Sequence, residues 1–226
     1  MKTQAFITQG QQMGTIPVRI SYRIIELFSD GLYSSPNKAI EELVANAFDA
    51  GANNVHVLLS PDRTVKDATI VIVDDGSGMD AQGLRQHWLI GQSNKRDSVA
   101  QLKKRKQIGK FGIGKLATFV LGRYLTHICK RGGNYYATTM DYEEIPLGTD
   151  GGIYAEEPIE LPLRVLTEQE AKAILGELVT GTKPGYKAIP LFGKGAKASW
   201  TVAIISGLKD KAPEIKKGRL SWVLRT

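Results

Sequence analysis

Cysteine is almost missing: Cys129 is the only one in 226 residues. An internal disulfide is therefore excluded, and the composition suits a reducing, cytoplasmic setting. Long apolar runs are missing too. Nothing approaches the roughly 18 consecutive apolar residues of a membrane helix, and Met1-Lys2-Thr3-Gln4 opens no apolar segment of the secretory type. Histidine occurs three times, at His56, His87 and His127, scattered over expected strands and a helix, where each reads as an ordinary packing or surface residue. No internal repeat occurs, and no linker is long enough to divide the chain.

What is present fits one α/β domain spanning residues 1–226. Hydrophobic residues make up 42% and charged residues 23%, enough apolar material for a substantial core. Lys and Arg number 30 against 23 Asp and Glu, a net charge of +7. That excess favours anionic ligands without separating a nucleotide from a nucleic acid.

Along the chain, residues 1–18 are polar and glycine-containing, an arm or edge strand. Ile20 to Phe28 reads as a short helix closed by Ser29-Asp30-Gly31. Ser34-Ser35-Pro36 opens a stronger helix, with a serine N-cap and proline in the first turn, running to about Ala50 and closed by Gly51. Strands follow at Asn54–Leu59 and Thr69–Val73, the second a β-branched run. Gly83–Ile90 reads as a short helix. Residues 91–108, with Lys103-Lys104-Arg105-Lys106, read as a mobile basic loop. Ile113–Leu121 is helical, and Tyr124 to Met140 forms a hairpin around Gly132-Gly133-Asn134. Thr167 with Glu170 makes a capping box for a helix over Thr167–Leu175, and Trp200–Ser206 is a late strand.

Three clusters carry chemistry. On the 36–50 helix, Ala39, Ile40, Leu43, Val44, Ala47 and Phe48 form a buried stripe. Glu42, Asn46 and Asp49 stand at i, i+4 and i+7, within roughly 60° of arc on the other side. A generic helix would carry such residues as a solvated face, but a second acidic cluster follows 25 residues on. There, Val71-Ile72-Val73 runs into Asp74-Asp75-Gly76-Ser77-Gly78-Met79. A buried strand ending in an acid and two glycines lets backbone approach a ligand, and the carboxylate can accept a hydrogen bond from an exocyclic amine. An ordinary Asp-Gly turn is the plain alternative; a calcium loop fits badly, because the acids do not alternate and no glutamate closes it. The third cluster is Gly109-Lys110-Phe111-Gly112-Ile113-Gly114-Lys115, whose backbone amides at a helix start suit phosphate. It almost spells a P-loop, but Leu116 stands where a magnesium-binding hydroxyl is needed, and no apolar strand precedes it.

Taken in order, these clusters resemble the GHKL ATPases, the group of heat-shock chaperones, gyrase B subunits, MutL proteins, MORC ATPases and sensor kinases. Glu42-Leu43-Val44-Ala45-Asn46-Ala47-Phe48-Asp49-Ala50 is similar to the family's N box. Its continuation Gly51-Ala52 looks most like MutL. Asp74-x-Gly76-x-Gly78 and Gly109-x-x-Gly112-x-Gly114 are similar to the next two motifs, and Ser93-x-Lys95 to lid residues of MutL and MORC.

The resemblance implies an α/β (α+β) sandwich, with helices on one face of a mixed sheet, Mg-ATP between them and the 91–108 loop as a lid. It implies Glu42 as general base and Asn46 as magnesium ligand. Asp74 would bind the adenine amine, with Gly76, Gly78 and Met79 around the base and Asp49 and Ala50 at the adenine or ribose side. Lys110, Phe111, Gly112, Ile113, Gly114 and Lys115 would serve the phosphates, together with Ser93 and Lys95. The family's late Gly-Thr pair, whose threonine backs the aspartate, is matched to Thr201, with Trp200 in the glycine's place; Gly181-Thr182 is the literal pair but lacks the strand pattern.

The function expected is ATP hydrolysis that drives lid closure and an ATP-dependent homodimer, in a chaperone-like or DNA-transaction machine. A sensor-kinase domain transferring phosphate to a histidine is the alternative, disfavoured by Glu42 and the Asp49-Ala50 ending. A nucleic-acid module built on Lys95-Arg96 and Lys103–Lys106 is a third reading, and involvement of the full-length protein with DNA stays open. No membrane partner is expected. The ending Gly218 to Thr226 has no polar tail, which points to the N-terminal part of a longer protein.

Overall fold

The computed structural model describes residues 10–18, 35–88, 114–144, 159–179 and 188–224. The expected helix over Ile20–Phe28, the 91–108 loop with Ser93 and Lys95, the stretch Lys110 to Ile113 and the pair Gly181-Thr182 lie outside the described residues.

The elements in order are β1 (Gln11–Val18), α1 (Pro36–Asp49), β2 (Val55–Leu59), β3 (Ile70–Asp74), α2 (Ala81–Trp88), a 3-10 helix (Gly114–Val120), β4 (Gly122–Arg131), β5 (Asn134–Asp141), β6 (Ile159–Leu166), α3 (Glu168–Val179), β7 (Trp200–Leu208) and α4 (Lys217–Val223). Among the described residues the strands form one seven-stranded sheet, ordered β1-β6-β5-β4-β7-β3-β2.

Where a mixed sheet is expected, every described pairing is antiparallel. Two connections dictate this locally, since β2 and β3 are joined by a short loop and β4 and β5 by the Gly132-Gly133 turn. The late strand β7 then slots between β3 and β4 and runs opposite to both.

Helices cover both faces, not one. Along β3, Ile70 and Ile72 enter a core with Ile40, Leu43, Leu84, Trp88 and Leu121, beneath α1, α2 and the 3-10 helix. Their neighbours Val71 and Val73 enter a second core with Trp200, Val202 and Ala171 and Leu175 of α3. A strand buried on both sides must be apolar at every position, which is why β3 reads as a continuous Val/Ile run.

Helix α1 begins after Ser35 with Pro36 in its first turn and ends at Ala50, followed by Gly51 at φ +77°. That left-handed position is the C-terminal signal read from the sequence. The capping box is present as expected: Glu170 N–H donates to Thr167 Oγ1 (3.2 Å), and Thr167 N–H donates to the Glu170 carboxylate (2.8 Å).

The expected helix at 113–121 is a 3-10 helix instead. Leu121 N–H bonds back to Thr118 O at 2.9 Å, while Thr118 Oγ1 and Tyr142 Oη both donate to Lys115 O, at 2.8 and 2.9 Å. Side-chain donors on that carbonyl satisfy it outside the helical ladder. Strand β6 and helix α4 are additions to the sequence-based assignment. Pro162 masks the period-two pattern of β6; it is tolerated because pairing with β5 stops at Leu163.

Candidate nucleotide-binding site

The site lies where the C-terminal half of α1 crosses the ends of β3, β7 and β4. Antiparallel register sets Asp74 of β3 opposite Thr201 of β7, and Thr201 opposite Cys129 of β4. Two residues along, Ile72, Ala203 and His127 make the next row on the same face. Over both rows lies a cleft of about 230 Å³, lined by Leu43, Asn46, Ala47, Asp49 and Ala50 of α1, by Ile72, Asp74, Ser77, Gly78 and Met79, and by His87, His127, Thr201 and Ala203.

Asp74 is 6% exposed. Gly76 N–H donates to its Oδ1 at 2.9 Å, fixing the carboxylate at the strand mouth. Burial outweighs that bond and the neighbouring charge of Asp75 adds to it, pushing Asp74 up to about 6. Asp75 points away and holds the loop. It accepts from Asn53 N–H (2.8 Å), Asn54 N–H (2.7 Å), Asn54 Nδ2 (2.9 Å) and Lys197 Nζ (2.8 Å). Desolvation opposes its charge, but the Lys197 ion pair and these bonds hold it well below the usual carboxylate range. Ser77 N–H donates to Ala50 O at 2.9 Å and Ser199 Oγ to Gly76 O at 2.7 Å, so the loop is tied to α1 and to the approach to β7. Gly78 has φ +60°, and a Cβ there would run into the Lys130 carbonyl. Glycine at that place is a steric requirement.

The β7 register sets Thr201 beside Asp74, while Thr182 lies outside the described residues. Trp200, in the glycine's place, points to the opposite face. There it packs against Tyr135 and Phe192, and its Nε1–H donates to Leu191 O at 3.1 Å. Strand alternation thus lets a tryptophan replace a glycine without touching the cleft. The Cys129 thiol, hydrogen-bonded to Thr201, is pushed up to about 12, first by burial and then by the Asp74 charge, and stays protonated.

Asn46, Asp49, Ala50, Asp74, Gly78, Met79 and Thr201 are thus brought together. Gly76 serves the cleft through its amide. Glu42 stands one turn before Asn46, half-buried and outside the ring of lining residues. Lys115 does not line the cleft; it is buried, with its ammonium 6.0 Å from the centre of the Trp88 ring.

Among the lining residues that sequence reasoning did not assign to the site are two histidines, read there as ordinary packing or surface residues. His87 and His127 meet edge-on at the deep wall, ring centres 4.7 Å apart, each against Trp88. β4 alternation puts His127 on the same face as Cys129, but that this face meets the cleft follows only from the pairing of β4 with β7. Burial, with the Lys115 charge second, pushes His127 down to about 3, so its ring is neutral.

Residues 33–171 match the family model described as histidine kinase-, DNA gyrase B-, and HSP90-like ATPase, over more than half of the chain. The chain belongs to this family. The GHKL-type fold and an ATPase-type site at the family level follow from that membership. Among relatives, a putative type II restriction enzyme HgiDII of Herpetosiphon aurantiacus is 29% identical over 160 residues, covering 70% of this chain and 25% of that protein. The chaperone protein HtpG of Polaromonas naphthalenivorans is 29% identical over 133 residues, 49% of this chain and 21% of its own length. HtpG of Geobacter metallireducens is 26% identical over 159 residues, 65% and 24% respectively. The GHKL chain therefore spans about a quarter of the length of these relatives. Among the described residues, no helix is long and apolar enough to cross a membrane.

Proposed function

We propose that this GHKL domain binds Mg-ATP in the cleft and hydrolyses it, as one module of a larger chaperone-like or DNA-transaction protein. The observation that carries the reading is Asp74. It is a buried carboxylate at the end of an interior strand, with one oxygen held by Gly76 N–H and Thr201 beside it, facing a cleft lined by both apolar and polar side chains. Such a carboxylate suits an amine on a flat base. Asn46 lines the same cleft, and its amide oxygen is a hard ligand of the kind magnesium accepts.

In this reading Asp74 accepts the exocyclic amine, Gly78 and Met79 bound the base, and Asp49 and Ala50 flank the sugar side. Magnesium, when bound with ATP, would partly neutralise the charge of the γ-phosphoryl group. Asn46 would hold that metal, and Glu42 would accept the proton of the attacking water. Ser93, Lys95 and the Gly112–Gly114 backbone serve the phosphates, with residues 91–108 closing over them. The names of the relatives, chaperones and a putative restriction enzyme, and the quarter of their length that this chain spans support a role as one module of a larger protein; closure that pairs two copies is part of the same proposal.

General-base assistance is worth about 10²–10⁴-fold in rate. Glu42→Ala should bind ATP near normally by calorimetry and lose nearly all phosphate release in a steady-state assay. Turnover at the parent rate would remove Glu42 from the chemistry. Asn46→Ala differs, since it should weaken Mg-ATP binding itself.

A further inference from the structure

Ser199 stands just before β7, half-buried and outside the ring of lining residues. Its Oγ–H donates to the Gly76 carbonyl at 2.7 Å, across 123 residues of sequence, so the bond is a tertiary tie and not a local turn. The same peptide unit carries Ser77 N–H, which donates to Ala50 O at 2.9 Å. The Gly76–Ser77 peptide is thus bonded at both ends, to the approach to β7 and to α1. On the other side of the Gly76 α-carbon, Gly76 N–H donates to Asp74 Oδ1 at 2.9 Å. A Cβ at Gly76 would lie 2.8 Å from that oxygen and 3.0 Å from Ala50 O, which shows how closely the carboxylate and α1 crowd this residue. Lys197, in the same segment as Ser199, grips Asp75, whose side chain points away from the cleft. Ser199 is therefore the link from this segment to the residue that touches Asp74.

We propose that Ser199 is a positioning residue of the cleft: by holding the Gly76 carbonyl it keeps the Gly76 amide on Asp74 Oδ1, and so sets the orientation in which the Asp74 carboxylate meets a nucleotide base. The proposal rests on the nucleotide reading above. Glycine has no side chain to restrain its backbone. Without the serine hydroxyl, the Gly76–Ser77 peptide is held at its Ser77 end alone, and Gly76 can turn its N–H off the carboxylate. A binding group is only as well placed as the bonds that support it from behind. Burial pushes Asp74 up to about 6 while the Gly76 bond acts against that rise, so loosening the bond moves the Asp74 titration further up. The other charged or titratable groups around Asp74 are Asp49 on α1, Asp75 in its own loop, His87 on α2, and Cys129 and His127 on β4. None of them is altered by a change at Ser199.

The test is calorimetric titration with ADP from pH 5 to pH 8, on the parent chain, Ser199→Ala and Ser199→Thr. Ser199→Ala removes one oxygen from a half-buried position and should bind ADP about threefold to tenfold weaker than the parent at pH 7.5. The pH below which its affinity falls should also lie above the parent's, and Ser199→Thr, which keeps the hydroxyl, should restore both. Parent affinity in Ser199→Ala overturns the proposal. So does weaker binding with the parent's pH dependence, because a merely structural loosening would give that result, and so does a folded Ser199→Thr that behaves like Ser199→Ala. Hydrogen exchange of the Gly76 amide, followed by NMR without nucleotide, judges the tie by itself. That amide should exchange faster in Ser199→Ala, and equal rates in the two proteins overturn the proposal, including where Ser199→Thr does not fold. A parent that binds neither ADP nor ATP sinks the nucleotide reading instead, and the Gly76 exchange rates tell the two failures apart.

Discussion

At Asp74 the folded protein keeps a proton up to about pH 6, whereas the side chain ordinarily releases it near 3.8. The sign follows from linkage. Stability present below pH 3.8 is lost as the pH rises through 6, because the folded state must then carry a desolvated charge. The loss is roughly 2–3 kcal/mol at neutral pH. Asp74→Asn should therefore melt higher than the parent at pH 7.5 by calorimetry, with the difference closing toward pH 4. The same substitution should weaken ADP at least tenfold, since an amide can still accept from Gly76 N–H but meets the base amine with less charge. Nucleotide affinity of the parent should also fall below pH 6, to about a tenth at pH 5, where only about one Asp74 in ten is ionised. Binding to Asp74→Asn should be flat over that range, and a parent affinity unchanged at pH 5 would take Asp74 out of the base contact. The place of Asp74 at a strand mouth was legible in the sequence, because a β-branched run that ends in an acid and two glycines marks where a buried strand stops. His127 was not, because its place at the cleft depends on which strand lies beside β4, a fact no local pattern carries.

Among the elements, the loop from Asp74 to Met79 is held in place before any ligand arrives. Asp75 gathers two backbone amides, one amide side chain and Lys197, and Ser77 N–H is fastened to the end of α1. Gly78→Ala would force either a strained φ or a shift of the Lys130 carbonyl, so it should cost both stability, by about 1–3 kcal/mol, and nucleotide affinity. Gly51→Ala meets open space at φ +77°. It should lower the melting temperature modestly and leave ADP affinity intact in the same calorimetric titration. Equal effects of the two substitutions on affinity would mean that the loop is not preset. Elements with a local cause were readable in advance: α1 from Pro36 and Gly51, α3 from its capping box, the β4–β5 hairpin from its glycines. Those whose cause is a neighbour were not. The 3-10 helix owes its tightness to Tyr142, and β6 is a strand despite Pro162 because its pairing with β5 ends at Leu163.

For the whole molecule, the fold class was legible from three motifs in order, but the layering was not. The expected single helical layer is two, since α3 and Trp200 build a second core behind the sheet. Of the two readings of residues 1–18, an arm or an edge strand, the edge strand holds for residues 11–18, which form β1 against β6. Deleting residues 1–15 would therefore strip most of a strand. A cleaner experiment removes residues 1–9 only. In light scattering the parent should be a monomer with ADP and shift toward a dimer with a non-hydrolysable ATP analogue, and the shortened chain should dimerise less while binding nucleotide equally well. A full-length protein that stays monomeric with saturating analogue would end the pairing idea.

The sheet is in effect a partition wall, and consecutive residues of β7 belong to different rooms: Trp200 to the rear core, Thr201 to the cleft, Val202 to the rear again, Ala203 to the cleft. Exchanges behind the wall need only preserve volume, while those in front must preserve a ligand's outline. Descendants of this chain would then accumulate changes at two tempos within one strand, alternating residue by residue.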